Sequence, residues 1–276
     1  MATTQSEITT VEALLRRERL IVLCGLIFIT ILSWCWLLNG AGMGMSVTAM
    51  TAWSFPPPIP PSMSHDWSLQ YAIVMFLMWW IMMIAMMTPS AAPLILLYGH
   101  AYRHEQRLGR LHTAVTPTLF LAVGYLLAWM GFSILAAGLQ WGLERAGLVH
   151  AMLMWSMSPV LSASLLVAAG VYQFTPLKKV CLEHCRSPAH FIAENFKPGK
   201  AGALRLGLKH GYFCLGCCWF LMGLLFVGGV MNLLWIAGLA ILVLLEKIRP
   251  QGQRIARVAG VVMIIAGIWI FVRQPV

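Results

Sequence analysis

Seven runs of mainly apolar residues follow one another along the chain, at 20–38, 71–97, 114–139, 153–174, 212–230, 233–245 and 258–272. Shorter polar or basic stretches separate them. A helix needs about 20 such residues to cross a bilayer. The pattern therefore predicts an all-α polytopic transmembrane helical bundle of about seven spans, or six if 258–272 lies at the interface. Pro89 and Pro93 close the second run, Pro117 falls in the first turn of the third, and Pro159 interrupts the fourth. Only residues 228–232 are available to turn between the fifth and sixth runs. Gly228, Gly229 and Asn232 there supply the backbone freedom that a tight hairpin needs.

Composition supports the bilayer reading. Of the 276 residues, 60% are hydrophobic and 10% charged, against about 25% charged in soluble chains. Seventeen of the 19 Lys and Arg fall before the first run, between the second and third, between the fourth and fifth, or between the sixth and seventh. Only Arg145 and Arg273 lie elsewhere. The positive-inside rule makes the basic side, and with it the N-terminus, cytoplasmic. The formal charge of +10 then needs no nucleic acid. Anionic lipid headgroups account for it, and membrane lipids and other membrane-protein subunits are the expected partners. The first run is too long for a signal-peptide core and lacks a clean cleavage site, so it reads as a retained anchor. Residues 1–19 form a cytoplasmic segment and 20–276 a single transmembrane domain. That domain carries an external Pro- and Met-containing loop at 39–69 and a basic cytoplasmic loop at 178–211. Pro56, Pro57, Pro58, Pro60 and Pro61 predict an extended polyproline II stretch.

Five of the seven cysteines fall in two groups, Cys181 with Cys185 and Cys214 with Cys217 and Cys218. The 28 residues between the groups are basic and contain Pro and Gly. Positions i, i+3 and i+4 share a helix face, so each group presents sulfurs on one side at one membrane depth. The thiolates can supply a tetrahedral site, with His184 able to replace one of them. Such donors select copper(I), zinc or an iron–sulfur cluster. A reducing cytoplasm argues against a structural disulfide. Lys178, Lys179 and Arg186 bring positive charge nearby. Against this stands the use of Cys as a small buried hydrophobe, which is the expectation for Cys24 and Cys35.

Methionine is the second signal, with 18 in the chain. Met75, Met78, Met82 and Met86 recur at helical spacing, flanked by Met83, Met87 and Trp79. Met43, Met45, Met63 and His65 fall in the external loop. Thioethers suit copper(I), while flexible apolar packing explains Met equally well. Glu246 and Lys247 close the sixth run, and an ion pair from Glu246 to Lys178 or Lys179 is expected. Nothing looks like a nucleotide loop, a paired-His protease helix or a nucleophile elbow, so no residue is assigned a catalytic role.

Trp79–Pro89, Tyr172–Pro188, Cys214–Met222, Gly229–Asn232 and Glu246-Lys247 together resemble the bacterial family of predicted metal-binding integral membrane proteins, a domain of unknown function. The resemblance covers about residues 71–247. It implies a metal-binding protein of the bacterial inner membrane. Combined with the residue chemistry, the expected function is soft-metal handling or transport, with copper favoured over zinc. The expected ligands are Cys181, Cys185, His184, Cys214, Cys217 and Cys218. The alternative is a thiol-redox or assembly subunit without metal.

Overall fold

The computed structural model describes residues 2–42, 48, 51–57, 67–111 and 117–273. Met43, Met45, Met63, His65 and Pro58, Pro60 and Pro61 lie outside them. Ten α-helices form among the described residues: α1 Ala2–Leu38, α2 Leu69–Arg107, α3 Thr118–Arg145, α4 Pro159–Tyr172, α5 Pro176–Arg186, α6 Pro188–Asn195, α7 Gly199–Gly223, α8 Leu225–Gly228, α9 Leu233–Ile248 and α10 Gly252–Val272. No strand forms among these residues beyond an isolated bridge between Val149 and Ser156.

Five helical stretches are long and apolar enough to cross a membrane: Arg19–Leu38, Leu69–Arg107, Thr118–Arg145, Gly199–Gly228 and Gly252–Val272. A sixth exists if α4 and α5, bent by 65° at their junction, count as one span. The sequence expectation of seven includes α9. This helix has 16 residues and rises about 24 Å, short of the roughly 30 Å hydrocarbon layer. Large apolar side chains such as Phe28, Leu135 and Ile265 point outward, while the buried residues form one core.

Two sequence expectations need correcting. The second helix does not end with its apolar run at Leu97, because α2 continues through Pro89 and Pro93 to Arg107. Neighbouring helices and hydroxyl side chains can re-satisfy the backbone groups that proline frees. The stretch expected as a basic loop at 178–211 is mostly helical, comprising most of α5, all of α6 and the first half of α7. Pro176 and Pro188 occupy first-turn positions of α5 and α6, where a missing N–H costs nothing. These prolines start helices, although in the sequence they suggest a break.

Other expectations are met locally. Pro159 opens α4, whose Ser158 cap accepts from the Leu161 amide. The tight turn before α9 uses Gly229 at φ 104°, a conformation that L side chains rarely adopt. Asn232 caps α9 through the amides of Leu234 and Trp235. Where α3 meets α7 the backbones almost touch. A Cβ on Gly207 would lie 2.0 Å from the Leu121 carbonyl oxygen, and one on Gly124 would lie 2.2 Å from that of Leu204. Small residues permit such close approach between membrane helices. The contact fixes α7, the helix that carries three of the clustered cysteines, against α3.

Candidate metal centre

The fourth apolar run breaks at Gln173–Thr175, and this break positions the first cysteine pair. Thr175 caps α5 by accepting from the Lys178 amide, and the helix turns back across α7. Cys181 then lies against Gly216, where an added Cβ would meet the Cys181 sulfur at 2.7 Å. The Tyr172 hydroxyl donates to the Gly216 carbonyl and ties the end of α4 to the same place. One turn later on α5, Cys185 comes close enough to Cys214 and Cys217 for the side chains to interact.

On α7, Cys214, Cys217 and Cys218 are fully buried. The Cys217 and Cys218 thiols donate back to the Cys214 carbonyl at 3.0 and 2.8 Å. The Cys218 side chain lies beside those of Cys214 and Cys217. The structure thus brings Cys185, Cys214, Cys217 and Cys218 together, with Cys181 at the margin. Cys24 and Cys35 are exposed on α1. Among the described residues, no three His, Cys, Asp or Glu side chains stand ready-converged around an ion.

His184 is engaged elsewhere. Its ring stacks on Phe213, with centroids 4.3 Å apart and planes 4° from parallel, and its Nδ1 bonds the Val180 carbonyl at 2.8 Å. The expected ion pair is present, with Lys178 Nζ 2.7 Å from Glu246 Oε2 and both side chains buried. Gln173 supports it by donating to Glu246 Oε1 at 3.3 Å. Arg186 reaches the Pro250 carbonyl. Lys178 and Arg186 are therefore engaged away from the sulfurs.

The positive charge beside the sulfurs comes from Lys247. Its ammonium donates to Cys214 Sγ at 2.8 Å and to Ser90 Oγ at 3.1 Å, inside the protein. Adjacent residues diverge by about 100° on a helix, so Glu246 serves Lys178 while Lys247 turns toward Cys214. A buried ammonium needs a counter-charge. Glu246 is already paired, and of the two Lys247 partners only the Cys214 sulfur can carry negative charge.

Two more residues complete the setting. The Tyr125 hydroxyl lies 3.1 Å from both Cys214 Sγ and the Met87 carbonyl. His210, one turn before Cys214, is buried between the rings of Tyr125 and Phe191, and its Nδ1 has no partner. The sequence reading missed His210, although its place four positions before Cys214 puts it on the same helix face. Tyr125 and Ser90 had no comparable signal, because they come from distant helices. The methionines of α2, from Met75 to Met87, are all buried.

Long apolar helices thus enclose a buried group of cysteine sulfurs. The chain belongs to the PpoB2 copper chaperone family, whose model matches residues 76–270. The match takes in both cysteine groups and Lys247. It also extends through most of α10, beyond the part of the chain that the motif resemblance covers. Comparison with curated proteins and with solved structures gives no match.

Proposed function

We propose that the protein is an integral membrane copper-handling protein that holds Cu(I) as cargo on thiolates drawn from Cys185, Cys214, Cys217 and Cys218, with Cys181 at the edge. The observation that carries this reading is the Lys247–Cys214 contact within the sulfur group. Two thiolates around one Cu(I) carry a net charge of minus one, and the Lys247 ammonium neutralises it. Neutral assemblies are favoured in an apolar interior. Copper(I) accepts soft thiolates, and each must lose its proton to bind. Loading would draw the Cys217 and Cys218 thiols away from the Cys214 carbonyl by side-chain rotation. Zinc remains the second choice of metal, and His184 a reserve ligand if its Phe213 stack opens.

The test is a Cu(I) competition titration of the reduced, detergent-purified protein against a chromophoric chelator. Wild type should bind Cu(I) tightly, and Lys247→Leu should bind it about 10–100-fold more weakly, the range seen when a supporting partner of a metal ligand is removed. Lys247→Arg should recover part of the loss. Wild-type protein that takes no copper from the chelator, with all thiols reduced, would defeat the reading in favour of a metal-free thiol role.

The same reading includes orientation. The sulfur group lies at the basic end of the bundle, near Arg249 and the Lys209–His210 step, which the positive-inside rule makes cytoplasmic. The N-terminus then lies inside, and α9 supplies a seventh, short crossing. A reporter fused after Gly109 or Pro198 should give a cytoplasmic signal, and one after Gly147 an external signal. The opposite pattern would reverse the orientation.

A further inference from the structure

The methionines of α2 are sorted by face. Met75, Met78, Met82, Met83, Met86 and Met87 are each no more than 2% exposed. The outward positions of the same stretch carry Ile73 and Leu77, with Ile81 half-buried. Leucine fills a core as well as methionine does, so packing alone does not call for thioethers only on the inner face.

Two side-chain links relate that face to the continuous stretch of α7 and α8. At one end, the Lys247 ammonium joins Ser90 on α2 to Cys214 on α7. At the other, the Trp79 ring packs on that of Phe226, with centroids 5.3 Å apart. Eleven residues separate Trp79 from Ser90 and twelve separate Cys214 from Phe226. At 1.5 Å per residue these are about 16 and 18 Å, so the two helices run antiparallel and in step. Counting from the Trp79–Phe226 contact sets Met83 level with Met222, and Met86 and Met87 level with Cys218. Met83, Met86 and Ser90 all lie within about 40° of Trp79 around a helix that turns about 100° per residue. Met222, near the end of α7, is four positions before Phe226 of α8 and four after Cys218, and it is completely buried.

We propose that Met83, Met86 and Met222 form a second, weaker Cu(I) site of neutral thioethers inside the bundle, about one helical turn from the Cys218 sulfur. The proposal rests on the copper reading above and extends it inward. Thioethers are soft enough for Cu(I) but carry no charge to offset it. The ion is therefore held less firmly than on thiolates, and at equilibrium it moves to the cysteines. Transfer is a ligand exchange: a Cu–thioether bond breaks, a Cu–thiolate bond forms, the receiving thiol releases its proton, and no electron moves. The buried column gives Cu(I) a path between the sulfur group and the Gln140 end of the core, where Gln140 donates to Met75 Sδ at 3.4 Å.

Cu(I) titration of three reduced proteins tests this: wild type, Cys185→Ser/Cys214→Ser/Cys217→Ser/Cys218→Ser, and Met83→Leu/Met222→Leu. Met-to-Leu exchange usually costs less than about 1.5 kcal/mol, so the last variant should fold. The protein without the four cysteines should keep a chelator-labile Cu(I). After selenomethionine labelling, its copper X-ray absorption should show selenium neighbours. The Met-to-Leu protein should keep tight copper and bind the labile ion at least about 10-fold more weakly. A folded four-serine protein that binds no Cu(I), or binds it with no selenium neighbour, overturns the thioether site. Failure of the thiolate reading looks different, with labile selenium-bound copper present and no tight copper in wild type.

Discussion

Glu246→Leu should lose about 3–5 kcal/mol of stability, the usual effect of leaving one member of a buried ion pair without its partner. Lys178 and Glu246 are 2.7 Å apart, with side chains 2% and 1% exposed. The Glu246 carboxylate also accepts from Gln173. In Glu246→Leu the Lys178 ammonium stays buried at the α4–α5 bend with nothing to balance it. The double variant Lys178→Leu/Glu246→Leu removes both charges and should recover most of the loss, because an apolar pair of similar bulk often replaces a buried ion pair at no net cost. Thermal aggregation of the detergent-solubilised proteins checks this. A double variant as unstable as the single one would show that the pair holds the bend by geometry that leucines cannot supply.

The second large effect concerns the sulfurs. Cys214→Ser should abolish tight Cu(I) binding. It removes the one sulfur that touches the Lys247 ammonium, the Tyr125 hydroxyl and the side chains of Cys185 and Cys218. Serine keeps the shape but is a hard donor with little affinity for a soft ion. Cys217→Ser should follow closely. Cys181→Ser should have a smaller effect, because this sulfur sits at the margin against Gly216, and Cys24→Ser should have none. Copper retained after chelator challenge reads each case. Equal copper in Cys214→Ser and Cys24→Ser would remove Cys214 from the site.

The sequence pattern made the helical bundle legible because 20-residue apolar runs have few other uses. The grouping of Cys185 with Cys214 and Cys217 followed from spacing within each group and from depth. The Lys178–Glu246 pair followed from two charges at the ends of apolar runs. Other features were hidden for physical reasons. The second apolar run stops at Leu97, yet α2 continues through its two prolines to Arg107, because a helix surrounded by others tolerates them. The 178–211 stretch read as loop because it is basic and holds Pro and Gly, yet its prolines sit where helices begin. Lys178, Lys179 and Arg186 were nearest to the sulfurs in sequence, but Lys247 reaches Cys214 from another helix. No spacing rule anticipates a partner from a distant helix. Tyr125 and Ser90 were hidden for the same reason.

The most direct measurement is the copper X-ray absorption spectrum of the wild-type protein loaded with one equivalent of Cu(I). The account predicts a first shell of sulfur alone, carried by cysteine thiolates, so selenomethionine labelling should add no selenium to the tightly held ion. A shell dominated by nitrogen or oxygen, or a tightly held, selenium-free sulfur shell unchanged in the selenomethionine-labelled protein when Cys185, Cys214, Cys217 and Cys218 are all serine, would contradict it.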